Sequence, residues 1–404
     1  MNDQTPLLKN NNRHTYNNSH NIIDKNDDAE PTTYSSVKTL LCCSNFNYLL
    51  IFIPFGILSK LCGWSDTWVF CLNFMGIIPL ANLLGFATED ISLRFGDTIG
   101  SLLNATFGNA VELIISVVAL NNGLIRVVQA SILGSVLSNL LLVQGVCFFL
   151  GGIRYSEQFF NVTAAQTSAS LLALAMISLL IPAAFYTSVD SEKAIDGILN
   201  LSHGTAIVLL IIYIMYLVFQ LKTHSHLYES ETIDGDDSPQ MTIYVSIGSL
   251  LIISIIVSIT ADYLVGSIEG LVESWNISRT FVGIVLIPIV GNAAEHVSSV
   301  TFALKNKMDL CIGVAIGSSM QIALGMTPLL VILGWFLGEP LTLFFESFET
   351  CVLVVAILIV NYLIADGKSN WLEGAMLLAA YVIIAMAFFF YPDDGQVSFI
   401  PKPV

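Results

Sequence analysis

Charged residues are scarce in this chain. Asp, Glu, Lys and Arg make up 11% of its 404 residues, whereas they make up about 25% of an average soluble domain. Basic residues are the scarcest, 15 against 31 acidic ones, so the formal net charge is −16. Nucleic-acid binding is excluded because no basic patch is available to neutralise phosphates. Since 55% of the residues are hydrophobic, the composition predicts a protein that crosses a membrane several times.

Signatures of several other protein classes are absent too. The sequence contains neither Gly-x-Ser-x-Gly nor His-Glu-x-x-His, two patterns of hydrolases. Gly367-Lys368-Ser369 lacks the earlier glycine of a phosphate-binding loop, so no ATPase module is predicted. The seven cysteines form no metal-type cluster, and we interpret them as small core residues without a disulfide framework. These absences favour a membrane protein that is not an enzyme.

The first 45 residues differ from the rest because they are polar and rich in Asn. They lack the apolar core of a signal peptide, so we expect no cleavable signal, and their composition predicts a disordered tail. The stretch from Asp3 to Leu8, Asp-Gln-Thr-Pro-Leu-Leu, fits the acidic dileucine pattern of endosomal and vacuolar sorting. Either this segment binds a sorting adaptor or the short pattern is a chance match.

Apolar runs dominate the remainder of the chain. A helix needs about 20 residues to cross a hydrocarbon core of ~30 Å. Eleven runs come close to or exceed that length: 46–63, 67–86, 99–120, 129–151, 161–186, 204–221, 241–262, 280–304, 309–334, 343–365 and 370–391. The predicted fold class is therefore an all-α polytopic membrane protein with about eleven transmembrane helices.

The runs divide the chain into six regions. A leading helix and two sets of five helices lie between two tails, and a charged loop separates the sets. The regions are a tail at 1–45, a leading helix at 46–63, a first five-helix unit at 67–221, an acidic loop at 222–240, a second five-helix unit at 241–391 and a tail at 392–404. The loop is either a solvated linker or a cytosolic segment that attracts cations or has a regulatory role.

The distribution of Lys and Arg orients these spans. If the N-terminus is cytosolic, the cytosolic segments hold ten of the fifteen basic residues and the opposite side holds five. Cytosolic loops of membrane proteins carry an excess of Lys and Arg. We therefore predict that the N-terminus and the acidic loop are cytosolic.

One short polar motif occurs twice inside the apolar runs. Its copies are Gly108-Asn109-Ala110-Val111-Glu112 and Gly291-Asn292-Ala293-Ala294-Glu295, 183 residues apart. The same offset superposes Ser116 on Ser299 and Gly134-Ser135 on Gly317-Ser318. Because each unit has an odd number of helices, the second copy would enter the bilayer from the opposite side. The pattern predicts an inverted repeat, the architecture of many secondary transporters.

Two carboxylates at membrane depth indicate a site for a cation. A charged residue at the bilayer centre costs about 2.5–3.5 kcal/mol on insertion scales, so intramembrane acids are usually functional. Residues three or four apart share one face of a helix, which aligns each Glu with an Asn and a Ser. The aligned sets are Asn109, Glu112 and Ser116, and Asn292, Glu295 and Ser299. Their oxygen atoms suit Ca²⁺, and we predict that Gly108 and Gly291 let the backbones approach closely.

Six further residues are candidates with two interpretations each. They are Ser135, Ser318 and Gln321 on the next helix of each unit, His296 after the second motif, and Glu89 and Asp90 before the first. The first three either touch the site or pack neighbouring helices together. The histidine is either a packed residue or a contributor to selectivity or proton transfer. The two acids either line a cytosolic access path or belong to a solvated loop.

The motif residues also carry a family resemblance. Gly-Asn-Ala-Val-Glu-Leu at 108–113 and Gly-Asn-Ala-Ala-Glu-His at 291–296, each followed by a Gly-Ser helix, closely resemble the two α-repeats of the cation/proton exchanger family within the Ca²⁺/cation antiporter superfamily. The stretches 104–116 and 369–374 are especially similar to vacuolar Ca²⁺/H⁺ exchangers of the yeast type. The resemblance covers about residues 46–394 and leaves out the N-terminal tail.

The resemblance implies a ten-helix core with one leading helix and a vacuolar Ca²⁺/H⁺ antiporter of the low-affinity type, which exchanges cytosolic Ca²⁺ for luminal protons. It implies that Glu112 and Glu295 carry the ions, that the motif asparagines, Ser318 and Gln321 support them, and that no cofactor is needed. On the residues alone, Na⁺/Ca²⁺ exchange, exchange of another divalent cation such as Mn²⁺, a passive channel and an intramembrane enzyme remain alternatives. The oligomeric state stays open.

Overall fold

The computed structural model describes residues 31–188, 191–225 and 238–392. The sorting motif at Asp3 to Leu8, residues 226–237 of the acidic loop and all but the first residue of the C-terminal tail lie outside this range, so their predicted roles stay predictions. Within the range the chain is almost entirely helical.

The first part of the described chain folds into helices α1 to α9. Their bounds are α1 Thr33–Cys42, α2 Phe52–Leu61 after a 3₁₀ segment at Asn45–Ile51, α3 Asp66–Ser92, α4 Gly96–Phe107, α5 Ala110–Asn121, α6 Ile125–Leu137, α7 Gln144–Arg154, α8 Val162–Ser188 and α9 Ser191–Val218. A π-helical segment at Ser138–Val143 joins α6 to α7, and another at Phe219–Thr223 extends α9.

The second part folds into helices α10 to α18. Their bounds are α10 Ile243–Val265, α11 Ile268–Trp275, α12 Arg279–Phe281, α13 Ile287–Gly291, α14 Ala293–Leu304, α15 Met308–Gln321, α16 Thr327–Leu337, α17 Ser347–Leu363 and α18 Trp371–Phe390. The π segments Val282–Leu286 and Ile322–Met326 join α12 to α13 and α15 to α16. Strands β1 Gln158–Phe159 and β2 Lys368–Ser369 pair antiparallel between the two parts.

Helix length and apolar composition confirm a polytopic membrane protein. Among the described residues, seven helices are long and apolar enough to cross a membrane, and nine are if each of two sharply bent helix pairs is one span. Two shorter apolar helices are α5 and α17. The total of eleven spans stays a prediction, because the predicted helices at 99–120 and 280–304 are each broken into pieces.

The N-terminal tail is shorter than predicted, because α1 lies inside the region 1–45 that we expected to be disordered. The side chain of Thr32 caps this helix by accepting a hydrogen bond from Ser35 N at 3.2 Å. Ser36 is fully buried and accepts a hydrogen bond from the backbone N–H of Thr242. The helix α1 therefore contacts the start of α10, a distant part of the chain. Its own apolar run is too short to predict a helix from the sequence.

Matching irregularities occur in the two units. The first motif interrupts the helix between α4 and α5, and the second interrupts it between α13 and α14, at positions 183 residues apart. The π segments Ser138–Val143 and Ile322–Met326 end at positions separated by the same offset. Such π-helical turns are frequent at functional sites. The two units thus share local backbone features as well as residues.

Helix packing differs between the units. A Cβ atom on Gly134 of α6 would overlap the backbone of Ile284, and one on Gly283 would overlap Ala130. The equivalents of Gly134 and Ala130 in α15 are Gly317 and Gly313, and a Cβ atom there would meet nothing within 4 Å. α6 is therefore pressed against the α12–α13 segment, whereas the equivalent face of α15 is open.

A buried ion pair ties α6 to α17 at one end of the bundle. The Arg126 guanidinium donates to both carboxylate oxygens of Glu349 at 3.0 and 2.5 Å. Glu349 is fully buried, and Glu346 lies 3.5 Å from the same guanidinium. Tyr391 donates a hydrogen bond to Glu346 at 2.8 Å. This cluster connects the first unit to the ends of two helices of the second.

Candidate functional site

The two helix breaks place a Glu in the first turn of a new helix. Asn109 has φ −100° and ψ 22°, and Asn292 has φ −81° and ψ 11°, and each residue precedes the first residue of its helix. Glu112 of α5 and Glu295 of α14 follow three residues later. Glu112 lies against the second break, since a Cβ atom on Gly291 would lie 2.9 Å from Cγ of Glu112. The two helix breaks are therefore neighbours, and a site shared by both acids stays a prediction.

A chain of hydrogen bonds links the first break to the second unit. Asn139, in the π segment after α6, donates to Ser318 Oγ at 3.0 Å. Ser318 donates to Asn109 Oδ1 at 2.8 Å, and Asn109 donates to Gln321 Oε1 at 2.9 Å. Ser318 and Gln321 thus contact the motif asparagine, and their part in an ion site stays a prediction.

The second break is held in a different way. Asn292 is fully buried and donates its amide to the backbone oxygen of Ser135 at 3.3 Å. His296 Nδ1 lies 2.8 Å from the backbone oxygen of Asn292, so this nitrogen donates its hydrogen to the helix itself. The contact fits a packed histidine, and a role in selectivity or proton transfer stays a prediction.

Glu112 is buried without a hydrogen-bond partner. Its exposed fraction is 5%, and neither carboxylate oxygen has a partner among the described residues. The side chain borders a narrow space together with Ile115, Ser116, Ser131, Ser135, Ile287, Gly291 and Met326. A Cβ atom on Gly291 would lie 2.9 Å from Cγ of Glu112, so a larger residue at this position would displace the Glu112 side chain.

Glu295 occupies a more open and more polar setting. Its carboxylate lies beside the side chains of Ser318 and Asn139, and the residue is only half-buried. One of its oxygens, Oε2, is buried without a partner among the described residues, as is Oγ of Ser299 one turn later. Gly108, the equivalent of Gly291, is exposed and does not press on Glu295.

The chemistry of these oxygens suits a hard cation. Leaving a buried polar group without a partner costs about 1–3 kcal/mol, and more if it is charged, so a bound cation would compensate for the partners that these oxygens lack. Among residues 31–188, 191–225 and 238–392, no cluster of three His, Cys, Asp or Glu side chains could hold a metal. A cation here would rely on two carboxylates plus amide and hydroxyl oxygens, which suits Ca²⁺.

Asp90 does not line an access path, which corrects the prediction for this residue. It is 4% exposed, and its carboxylate accepts hydrogen bonds from the backbone N–H groups of Gln240 and Met241 at 2.6 and 3.0 Å. It also accepts one from Ser246 at 2.7 Å. The unpaired donors at the start of α10 therefore occupy this carboxylate. The neighbouring Glu89 is exposed, and its access role stays a prediction.

Two residues near the acids were not among the predicted site residues. Asn139 donates to Ser318 and lies one turn after Ser135, so a longer search along that helix face would have found it. Ser131 borders the space around Glu112 and lies one turn before Ser135. Small polar residues commonly join helices in membranes, so residue type alone does not mark either of them as part of a site.

A polytopic helical fold in which each of two matched helix breaks carries an acid is the arrangement expected of a membrane exchanger for cations. Sequence comparison agrees with this class. The family described as sodium/calcium exchanger protein matches residues 65–222 and 245–390, and the chain belongs to this family.

Two relatives and one solved structure are similar to the chain over most of its length. The chain is 51% identical over 359 residues to the vacuolar calcium ion transporter of Schizosaccharomyces pombe, covering 88% of this chain and 87% of that protein. It is 46% identical over 365 residues to the Ca²⁺/H⁺ antiporter of Aphanothece halophytica, covering 87% and 97%. The crystal structure of the Ca²⁺/H⁺ antiporter protein YfkE superposes with a TM-score of 0.74 at 38% identity, covering 86% and 99%.

Proposed function

We propose that the protein moves cytosolic Ca²⁺ into an acidic vacuolar compartment in exchange for luminal protons, with no cofactor. The observation that carries this proposal is the pair of acids at the two helix breaks: both carboxylate oxygens of Glu112 and Oε2 of Glu295 are buried without hydrogen-bond partners among the described residues. The names of the relatives, a vacuolar calcium ion transporter and Ca²⁺/H⁺ antiporters, support the choice of ions. The N-terminus is cytosolic and the two units are inverted in this proposal.

Ca²⁺ binds between the two carboxylates in this proposal. Five buried oxygens near the breaks lack partners among the described residues: both carboxylate oxygens of Glu112, Oε2 of Glu295, Oδ1 of Asn292 and Oγ of Ser299. Ca²⁺ takes about six to eight oxygen ligands, so these atoms and a retained water or carbonyl would complete its shell. Asn109 contributes by positioning, since hydrogen bonds to Ser318 and Gln321 already occupy its amide.

The same two carboxylates release Ca²⁺ when they take up protons. Two ionised acids carry a charge that either one Ca²⁺ or two protons neutralises, and an uncompensated charge at this depth is costly. The site therefore changes its exposure from one side of the membrane to the other only when it holds Ca²⁺ or two protons. This requirement couples the Ca²⁺ flux to the proton flux. A tenfold proton gradient supplies about 1.4 kcal/mol per proton, and exchange requires at least two protons per Ca²⁺.

The described conformation opens the site toward Glu295. That acid is half-buried and Gly108, the equivalent of Gly291, is exposed, whereas Glu112 and Gly291 are buried. In the proposed orientation α4 and α14 lie in the cytosolic half of the membrane, so this is a cytosol-facing state. Alternating access then requires α4 to close against the open face of α15, as α6 already does against the α12–α13 segment.

Gly317→Val is expected to trap this state. The structure leaves space for a side chain at Gly317, so the protein should fold and still bind Ca²⁺, but the added valine would prevent α4 from closing on α15. Ca²⁺ uptake into vesicles should fall to background while Ca²⁺ binding in detergent is kept. The control is Gly204→Val, since Gly204 of α9 also has open space around it and faces outward. Equal uptake by the two variants would contradict the gating role of α15.

The function itself is tested by reconstituted vesicles with an imposed gradient. Wild-type protein should accumulate Ca²⁺ when the vesicle interior is acidic, and a protonophore should stop the uptake. An outward Na⁺ gradient at equal pH should drive none, and uptake that follows Na⁺ instead would select Na⁺/Ca²⁺ exchange. Competition by Mn²⁺ under the proton gradient measures how far the site accepts other divalent cations.

A further inference from the structure

Three apolar side chains cover Glu112 on the closed side of the site. Ile115 lies one turn after Glu112 in α5, Ile287 begins α13, and Met326 ends the π segment after α15. All three border the narrow space next to the Glu112 carboxylate. Their exposed fractions are 1%, 4% and 7%. They come from both units, near the place where α6 packs closely against the α12–α13 segment.

The equivalent positions beside Glu295 have different chemistry. The offset of 183 residues takes Ile115 to Ser298, Ile287 to Asn104 and Met326 to Val143. Two of the three positions are therefore polar on the open side. Asn104 is exposed and Ser298 is half-buried, whereas their apolar equivalents are buried.

Four residues of the site match across the offset, since Glu112, Ser116, Ser135 and Gly291 correspond to Glu295, Ser299, Ser318 and Gly108. Ser131, which also borders the space beside Glu112, corresponds to Val314. On the open side the polar residues Asn104 and Ser298 are accessible, which allows a hydrated ion to approach Glu295. Their equivalents Ile287 and Ile115 are buried and apolar, which limits the access of water to Glu112.

Hydrophobic constrictions close ion paths by losing their water. A proton or a hydrated Ca²⁺ can leave Glu112 toward the closed side only if water reaches the carboxylate. We propose that Ile115, Ile287 and Met326 form a hydrophobic seal that closes the luminal path from Glu112 and prevents proton flow that is not coupled to Ca²⁺. The luminal assignment rests on the proposed function and its orientation, whereas the seal itself rests on the packing around Glu112.

A proton-leak measurement tests the seal. Ile287→Asn installs the residue that the other unit has at this position, and Ile289→Asn makes the same change on the exposed face of α13. In Ca²⁺-free vesicles that contain a pH-sensitive dye, Ile287→Asn should dissipate a pH gradient about tenfold faster than wild type, which corresponds to about 1.4 kcal/mol off the barrier. Ile289→Asn should leak as slowly as wild type. Equal, wild-type leak rates in both variants would overturn the proposal.

Met326 provides a second test through milder changes. Met326→Ser should leak and Met326→Leu should stay tight, because Leu keeps an apolar group of similar volume. If all three residues were simply core packing, Met326→Ser would unfold at a lower temperature and its folded fraction would leak no faster than wild type. That result would overturn the seal.

Cysteine labelling tests the same seal without a large change of volume. In a cysteine-free background and without Ca²⁺, a water-soluble maleimide should label Asn104→Cys and leave Met326→Cys unlabelled. Equal labelling of both positions would contradict a dry path at Met326. Proton-driven Ca²⁺ uptake by wild-type protein, measured in the same vesicles, separates the two ideas. If wild type takes up Ca²⁺ but the leak and labelling results are negative, only the seal fails.

Discussion

Replacing Glu112 or Glu295 with Gln is expected to abolish proton-driven Ca²⁺ uptake. Gln keeps the size of the side chain and one oxygen, but it neither releases nor takes up a proton and it removes one of two negative charges. The remaining carboxylate would leave one positive charge of bound Ca²⁺ uncompensated in a buried site, where an unpaired charge costs several kcal/mol. Uptake should therefore fall to the level of vesicles without protein.

The measurement is Ca²⁺ uptake under an imposed pH gradient, with the amount of folded protein matched by size-exclusion chromatography. Glu157→Gln is the control, because this Glu is about half exposed and pairs with Lys368 at the surface. It should transport like wild type. Substantial proton-driven uptake by Glu112→Gln would show that the site assignment is wrong even if the protein is a Ca²⁺/H⁺ exchanger.

Glu349→Gln is expected to lower the free energy of unfolding by about 3–5 kcal/mol, the usual effect of removing one partner from a buried ion pair. Glu349 is fully buried and accepts two hydrogen bonds from Arg126. The substitution removes the charge that balances this guanidinium and leaves Glu346, at 3.5 Å, as its remaining acidic partner in the ion pair. The measurement is unfolding by heat or denaturant in one fixed detergent.

The matched control for this prediction is Glu269→Gln. Glu269 pairs with Arg279 at 2.6 Å, but both side chains are more than a third exposed. Exposed pairs contribute about 0–1 kcal/mol, so the same chemical change should have little effect there. If the two variants unfold alike, burial of the Arg126–Glu349 pair does not matter for stability.

The central part of the site could be predicted because its residues are unusual where they stand. A Glu within an apolar run is costly, so Glu112 and Glu295 stand out in the sequence, and their shared offset pairs each with an Asn. The structure places Glu112 against Gly291 of the second break and joins Asn109 to Ser318 and Gln321. Ser318 and Gln321 lie on the helix that follows the second motif, and the sequence alone left open whether they touch the site or pack helices together.

Other features depend on distant contacts and could not be read from local patterns. Asp90 resembles a solvent-exposed acid in the sequence, yet it accepts hydrogen bonds from residues 150 and more positions away at the start of α10. The helix α1 is ordered through Ser36 and Thr242. Sequence reasoning treated both as surface features, because no local pattern indicates which remote backbone groups will need a partner.

The contrast between Ile287 and Asn104 bears on how an exchanger with two different access paths could arise. A carrier assembled from two identical chains would have the same residue at both positions, so its two access paths would be equally hydrated. Joining two copies of a gene in one chain frees each copy to change alone. The chain could then keep one ion site, built from matched residues, and acquire two access paths of different polarity. This difference leaves the equilibrium of exchange unchanged, but it determines which of the two access paths is hydrated.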